Sequence, residues 1–213
     1  MPTYRETQRL LRRRVIVDAA RRCFIQKTYA ATTLTDIARE AGLRKRAVTA
    51  RFATKEEVMR AVAEAMMSER LQAIEEAVRR RPVLPPEEFI RALSLVVGPR
   101  SQAPLRIQAW ALFLNDPDLA EPLAAYSATL DELLTDHARA WLESIGRSPE
   151  EAASRAGAVA TMMVVVLNGI VMQFAIDPTM SLGRFLDAAR LVDFAPAAAG
   201  TERQPQRPTT RGC

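Results

Sequence analysis

Apolar residues recur at helical spacing along most of the chain, and runs of alternating β-branched residues are few, so the pattern predicts helix throughout. Val15, Ile16, Ala19, Ala20, Cys23 and Phe24 form one stripe on a first helix. Leu34, Ile37, Ala38 and Ala41 form a second, shorter one. Thr33 with Asp36 three residues later has the form of a capping box that opens this second helix, and Gly42 can take the left-handed backbone that closes it. After a turn at Gly42 and Leu43, the apolar Ala47, Val48, Ala50 and Phe52 interleave with Arg44, Lys45, Arg46, Thr49 and Arg51. A third helix with one face to bury and one to present is expected there, completing a small three-helix domain over residues 1–55.

From Lys55 to about Arg81 the chain runs without Gly or Pro, with Glu56 and Glu57 at its start and three arginines at its end, as the helix dipole favours. Pro82, Pro85 and Pro86 stop it. Further helices are expected over residues 87–97, 105–114, 118–144, 149–176 and 181–194. Ser148 and Pro149 mark one start clearly. Residues 195–213 are Pro, Gly and polar residues without periodicity, which predicts a disordered tail. The domain reading is therefore all-α: residues 1–55, then a helical regulatory and dimerisation domain over 56–194, then the tail.

Ala156–Ile176 carries no charge over 21 residues, long enough to cross a bilayer. Thr161, Asn168, Gly169, Gln173, the many alanines and the absence of flanking basic clusters favour a buried helix instead. A helix apolar on every side in so small a chain implies that a second subunit covers one face, so segments 118–144 and 149–176 are expected to pair with their two-fold mates as a four-helix interface. Leu130, Leu134, Val165, Asn168, Gly169 and Met172 are the candidates for that contact. Met59, Met66, Met67 and Met163, with the aromatic Trp110, Phe113 and Tyr126, are candidates to line a small-molecule pocket, although methionines and aromatics at helical spacing are more often plain core. His137, beside Asp136 and near Arg139, is expected at the surface.

Charge sharpens the division. Residues 1–55 hold fourteen Lys and Arg against four Asp and Glu, a net of +10, whereas residues 56–213 hold sixteen against twenty-one, a net of −5. A basic head that meets a polyanion and an acidic body that does not fit this asymmetry. The cations of the third helix break a local rule: Arg44, Lys45 and Arg46 stand at a helix start, where Ser, Thr or Asp is usual. An arriving phosphate would offset that cost. Two cysteines, Cys23 and Cys213, give no disulfide framework, and no apolar signal segment follows the basic N-terminus, so a cytoplasmic setting is expected.

The frame Thr33, Ile37-Ala38, Ala41-Gly42, Phe52 and Lys55-Glu56, preceded by a helix with Ala19-Ala20 and Phe24, resembles the DNA-binding domain of the TetR family of bacterial transcriptional regulators. The resemblance covers about Arg12 to Val62. It implies that Thr33 caps the first helix of a helix-turn-helix, that Arg44 to Thr49 enter the major groove, and that Lys55 meets a phosphate. Thr33, Thr35, Arg44, Lys45, Arg46, Ala47, Thr49, Arg51, Phe52 and Lys55 are thus the expected DNA-binding residues. The chain departs from the family's usual Ser at Arg44, Gly at Arg46 and Tyr at Thr49, and carries Thr28 where a Gly is usual.

The function expected is a DNA-binding transcriptional regulator, a ligand-responsive repressor acting as a homodimer on a pseudo-palindromic double-stranded operator, with a small hydrophobic effector. No cofactor, metal site or catalytic residue is expected, because the sequence has no phosphate-binding glycine loop, no metal-ligand spacing and a single His without a paired nucleophile. A membrane-associated helical protein and a sequence-indifferent DNA packer are the competing readings.

Overall fold

The computed structural model describes residues 3–96 and 100–189, so the expected tail, Cys213 and the end of the last helix lie outside the described residues. Every regular element among those residues is helical: α1 (Tyr4–Ala31), α2 (Leu34–Glu40), α3 (Lys45–Thr49), α4 (Lys55–Val78), α5 (Pro86–Val96), α6 (Ala103–Asn115), α7 (Ala120–Ser144), α8 (Pro149–Ile176) and α9 (Leu182–Ala189). Short 3-10 turns, Arg100–Gln102 and Pro117–Leu119, lead into α6 and α7. Caps fix the starts. Thr3 with Glu6, and Thr33 with Asp36, form reciprocal capping boxes, while Thr54 and Ser148 accept from the amides of Glu57 and Glu151. The first helix begins at Tyr4, directly after its Thr3 cap.

Two hydrophobic clusters organise the packing. The first joins Ile16, Phe24, Ile37, Val48 and Phe52 of the head to Val58, Met59 and Val62 of α4, and it extends to Leu105, Ala109 and Phe113 of α6. The second lies between α4, α5, α7 and α8, around Ile74, Phe89, Leu134, Leu142 and Met163. α7 and α8 pack against each other along their lengths, and α6 bridges from α8 back to α1. The head therefore shares buried side chains with the helical body.

α8 is 28 residues long and apolar enough to cross a membrane by length and composition, yet Ala156, Val159, Ala160, Met163, Leu167, Ile170 and Phe174 are buried within the chain. Its opposite side is not covered: Met162, Val165, Met172 and Ile176 are 39–70% exposed. One apolar face is thus spent on the core and one is left over.

His137 corrects a sequence expectation. Instead of lying at the surface it is 2% exposed, stacked on Phe89 with ring centroids 3.9 Å apart, and its Nε2 donates to the carbonyl of Leu84 at 3.0 Å. The helical stripe of Leu130, Leu134, Ala138 and Trp141 turns this position inward, which its charged neighbours in sequence do not reveal. Its Nδ1 has no partner, and burial lowers the imidazole pKa below the ordinary 6.5. The unfolded chain then takes up a proton near pH 6.5 that the folded chain refuses until lower pH, so stability holds above 6.5 and falls as pH drops towards the folded pKa. Urea midpoints recorded from pH 8 to pH 5 should fall less steeply for His137→Gln, which stays neutral and keeps a donor for Leu84.

Candidate nucleic-acid interface and adjoining pocket

The turn between α2 and α3 is a full Schellman stop. Gly42, at φ +66°, donates to Arg39 O at 3.1 Å, and Leu43 donates to Ala38 O at 2.8 Å. The reversal seats Val48, fully buried, and Phe52 against Ile16, Phe24 and Ile37. Arg44 occupies the N-cap of α3 without any side-chain cap bond, and Arg44, Lys45, Arg46 and Thr49 face solvent.

Electrostatics set this patch apart from the basic residues that flank it on α1 and α2. Arg13, Arg21 and Arg22 pair with Glu64, Glu69 and Glu40 at 3.5, 2.8 and 2.6 Å. Lys27 and Arg39 pair with Asp36 at 2.8 and 3.6 Å. Lys27 and the Thr33 cap hold the Asp36 carboxyl well below the usual carboxylate range. Arg44, Lys45 and Arg46 have no ion pair among the described residues. Exposed, uncompensated positive charge therefore lies on α3 and, through Arg9 and Arg12, on the start of α1.

The expected contact residues do not all lie on this surface. Thr33, Thr35, Arg44, Lys45, Arg46 and Thr49 are exposed. Thr33 is engaged in its capping box, and the Thr49 hydroxyl turns back to Lys45 O and Arg46 O at 3.3 and 3.4 Å. Ala47 is half-buried. Arg51 folds back along α3 to Ala47 O at 3.2 Å. Two expectations are corrected. Phe52 is 2% exposed, with the Arg13 guanidinium 5.0 Å from its ring centroid, so it is core rather than contact surface. Lys55 is not aimed outward: its Nζ donates to Tyr29 O at 2.9 Å and Ala30 O at 3.2 Å and lies 4.5 Å from the Tyr29 ring centroid. The last carbonyls of α1 lack helical partners, and an ammonium satisfies them.

Those carbonyls follow a kink that the sequence placed at an unusual residue. Thr28 sits at φ 69°, ψ 159°, non-helical inside α1, a region that essentially only glycine occupies without strain. The bend lets the buried Thr32 hydroxyl donate to Thr28 O at 2.7 Å. Tyr29 donates to Glu56 at 3.0 Å, and burial with that acceptor pushes its phenol up to about 12.

Five of the seven pocket candidates come together. Met66 and Met67 of α4, Trp110 and Phe113 of α6 and Tyr126 of α7 line one cavity, with Arg70 and Arg106 at its other side and about 360 Å³ of empty space. Met59 and Met163 do not reach it: at 3% and 0% exposure they belong to the first and second core clusters. Sequence reasoning missed the two arginines, since Arg106 lies in a helix whose apolar run suggested plain core. Of the dimer candidates, Leu130 and Leu134 are corrected: both are buried in the chain's own core, at 6% and 0% exposure. Asn168 accepts from Arg70 at 3.2 Å and Gly169 lies under Phe185, so both are engaged inside the chain. Val165 and Met172 are on the free face.

A capped helix, a glycine-stopped turn and a short helix presenting unpaired cations make this a helix-turn-helix DNA-binding protein. Residues 16–62, spanning most of the head and the start of α4, match the family model described as bacterial regulatory proteins, tetR family. Solved structures agree in fold. A transcriptional regulator from Rhodococcus sp. Rha1 superposes with a TM-score of 0.62 at 20% identity, over 83% of this chain and 90% of that one. The multidrug binding protein EbrR, complexed with ethidium, gives 0.60 at 24% identity, over 85% and 98%. FadR from Bacillus subtilis, in complex with stearoyl-CoA, gives 0.56 at 16% identity, over 82% and 93%. No curated protein matches the sequence.

Replacing Thr28 with Gly should remove backbone strain worth about 1–3 kcal/mol while adding about 0.5–1 kcal/mol of unfolded-state freedom. The expected outcome is a net gain of about 1 kcal/mol, seen as a rise of about 2–4 °C in thermal unfolding. A drop in stability would mean that the kink is held by something other than the backbone at Thr28.

Proposed function

We propose that the protein is a ligand-responsive repressor that binds a pseudo-palindromic operator as a homodimer, each protomer placing α3 in a major groove. The observation that carries this reading is the charge pattern of the helix-turn-helix: Arg22, Lys27 and Arg39 around α2 are matched by carboxylates, while Arg44, Lys45 and Arg46 on the presented helix are exposed and unmatched. Arg44, Lys45, Arg46 and Thr49, flanked by Thr33 and Thr35, are the proposed contact residues. Half-sites would lie one or more helical turns apart, about 34 Å per turn. Action on DNA places the protein in the cytoplasm.

The uncovered face of α8, with Met162, Val165, Met172 and Ile176, is the proposed dimer surface, and the adjoining face of α7 completes it as a four-helix contact. Leaving such a stripe in water forfeits the roughly 25 cal/mol per Å² that its burial provides. A second copy of the chain is self-complementary to it by symmetry.

Effector response follows from how the pocket is built. Ala63, Ala109 and Phe113 line it and also belong to the cluster that holds the head. A small molecule there acts on α4 and α6 together, and both helices pack on α1. The cavity is narrow, with room for little more than a water molecule at its widest, so a ligand must part α4 from α6 to enter. Binding then favours a state in which the two heads are repositioned, with coupling of about 1–3 kcal/mol as the usual scale. EbrR with ethidium and FadR with stearoyl-CoA support the reading that this architecture hosts small molecules.

Arg46→Ala should weaken binding to the DNA upstream of the coding region by about 1–3 kcal/mol, with little change against nonspecific competitor, when measured by titration at fixed salt. Equal weakening on all sequences would reduce Arg46 to a phosphate contact. Val165→Arg should convert the dimer to monomer in sedimentation and abolish operator binding with the helical content intact. A dimer that survives both Val165→Arg and Met172→Arg would rule out the α8 face.

A further inference from the structure

A second cavity, with about 450 Å³ of empty space, adjoins the first and shares two of its residues, Arg70 and Arg106. Its other walls are Leu93, Leu167, Ile170, Val171 and Phe174, and Arg100 stands at its rim, 4.8 Å from the Phe174 ring centroid. Neither cavity has an Asp or Glu among its described lining residues. Several arginines elsewhere face carboxylates, among them Arg13, Arg21, Arg22, Arg60, Arg79 and Arg139, and those without a pair, such as Arg9, Arg12, Arg80 and Arg91, are exposed to water. Arg70, Arg100 and Arg106 have no ion pair among the described residues. Arg70 donates to the neutral amide of Asn168, and half-buried Arg106 has no hydrogen-bond partner there.

A cation drawn out of water without a counter-charge is costly, and two of them side by side repel as well. Burial, then Arg70 and Arg21, bring the Arg106 pKa down to about 10, so the side chain still carries its charge at neutral pH. The carboxylate that acts on Arg106, Glu69, is already paired with Arg21, and Asp131, in a wider outer cleft with Arg70, Trp110, Tyr126 and Thr161, is unpaired and exposed. That cleft opens to solvent and reaches Arg70, Trp110 and Tyr126 of the first cavity. Beyond them on either hand lie apolar walls: Met66, Met67, Trp110 and Phe113 on one side, and the α8 residues with Leu93 on the other.

Building on the effector reading of this pocket, we propose that it takes an amphipathic organic anion, a carboxylate held by Arg106 and Arg70 with an aliphatic or aromatic body lying along the apolar walls. The guanidinium forks supply bidentate donors that match a carboxylate in charge and geometry. The narrow cavities suit a slender hydrocarbon better than a broad polycycle. This revises the expectation of a purely hydrophobic effector, because the arginines disfavour an organic cation and leave a neutral ligand without the charge they lack.

The test uses the purified full-length chain without DNA, titrated by calorimetry with decanoate, decanol and decyltrimethylammonium, and with naphthalene-1-acetate beside its amide. The acids should bind about tenfold or more tighter than their neutral partners, and the cation weakest. Arg106→Gln should remove that preference while leaving the neutral probes unchanged, and Arg106→Lys, which keeps the charge but not the fork, should retain part of it. Circular dichroism of both variants secures the comparison against misfolding. Acid and alcohol binding alike, no acid binding at about 1 mM, a roughly micromolar-to-millimolar scale on which weak effectors register, or an Arg106→Gln variant that keeps the preference would each overturn the proposal. A parallel band-shift separates the two readings. Acids that bind but never release operator DNA leave the anion site standing and remove the effector role; neutral probes that release DNA while acids do not bind do the reverse.

Discussion

The rest of the structure depends on the packing of α6 against both α1 and the first half of α4. Leu105, Ala109 and Phe113 enter the same buried cluster as Ile16, Phe24 and Phe52, so the head is not a bead on a string. A three-helix unit of about 50 residues buries little apolar surface by itself and is marginal alone. Sharing a core with α4 and α6 stabilises it. The same sharing leaves it unable to shift without disturbing the helices that line the cavity, and interiors packed at crystal-like density transmit such disturbances rather than absorbing them. Arg21 with Glu69, Arg13 with Glu64 and Lys55 with the α1 carbonyls tie the same joint from outside.

Charge works by subtraction. The head has ten more cations than anions, but the excess does not spread evenly over its surface, because Glu40, Asp36, Glu64 and Glu69 each neutralise a particular neighbour. What remains unmatched lies on α3 and at the start of α1. The helical body adds a different setting: Arg60, Arg79 and Arg139 face carboxylates, while Arg70, Arg100 and Arg106, where α4, α6 and α8 meet, have no ion pair among the described residues. In water an unpaired guanidinium is unremarkable, but in a half-buried cleft it is a statement about what the cleft receives.

Most of the fold was legible in the sequence because its signals are local. Capping boxes, the glycine stop at Gly42, the proline breaks and the helical stripes each act within one or two turns, and the helices begin close to where those signals stand. The turn that presents α3 was legible for the same reason. Less legible was which side of a helix meets which neighbour. Leu134 and Val165 are both apolar residues on long amphipathic helices, yet one is core and the other is bare, and only the crossing of α7 on α8 separates them. His137 went inward against its polar neighbours because its position on the helix, not its chemistry, decided the matter.

By itself the sequence determined the all-helical class, the helix-turn-helix and the basic head, because periodicity, caps and net charge are properties of the chain that survive any packing. Tertiary structure alone decided which cations stay free, which of Met59, Met66, Met67 and Met163 face a cavity, that Lys55 is bound to the end of α1, and that Arg70 from α4 and Arg106 from α6 stand together without a carboxylate. Those outcomes depend on residues 36 positions apart meeting in space, and no local rule carries information over that distance.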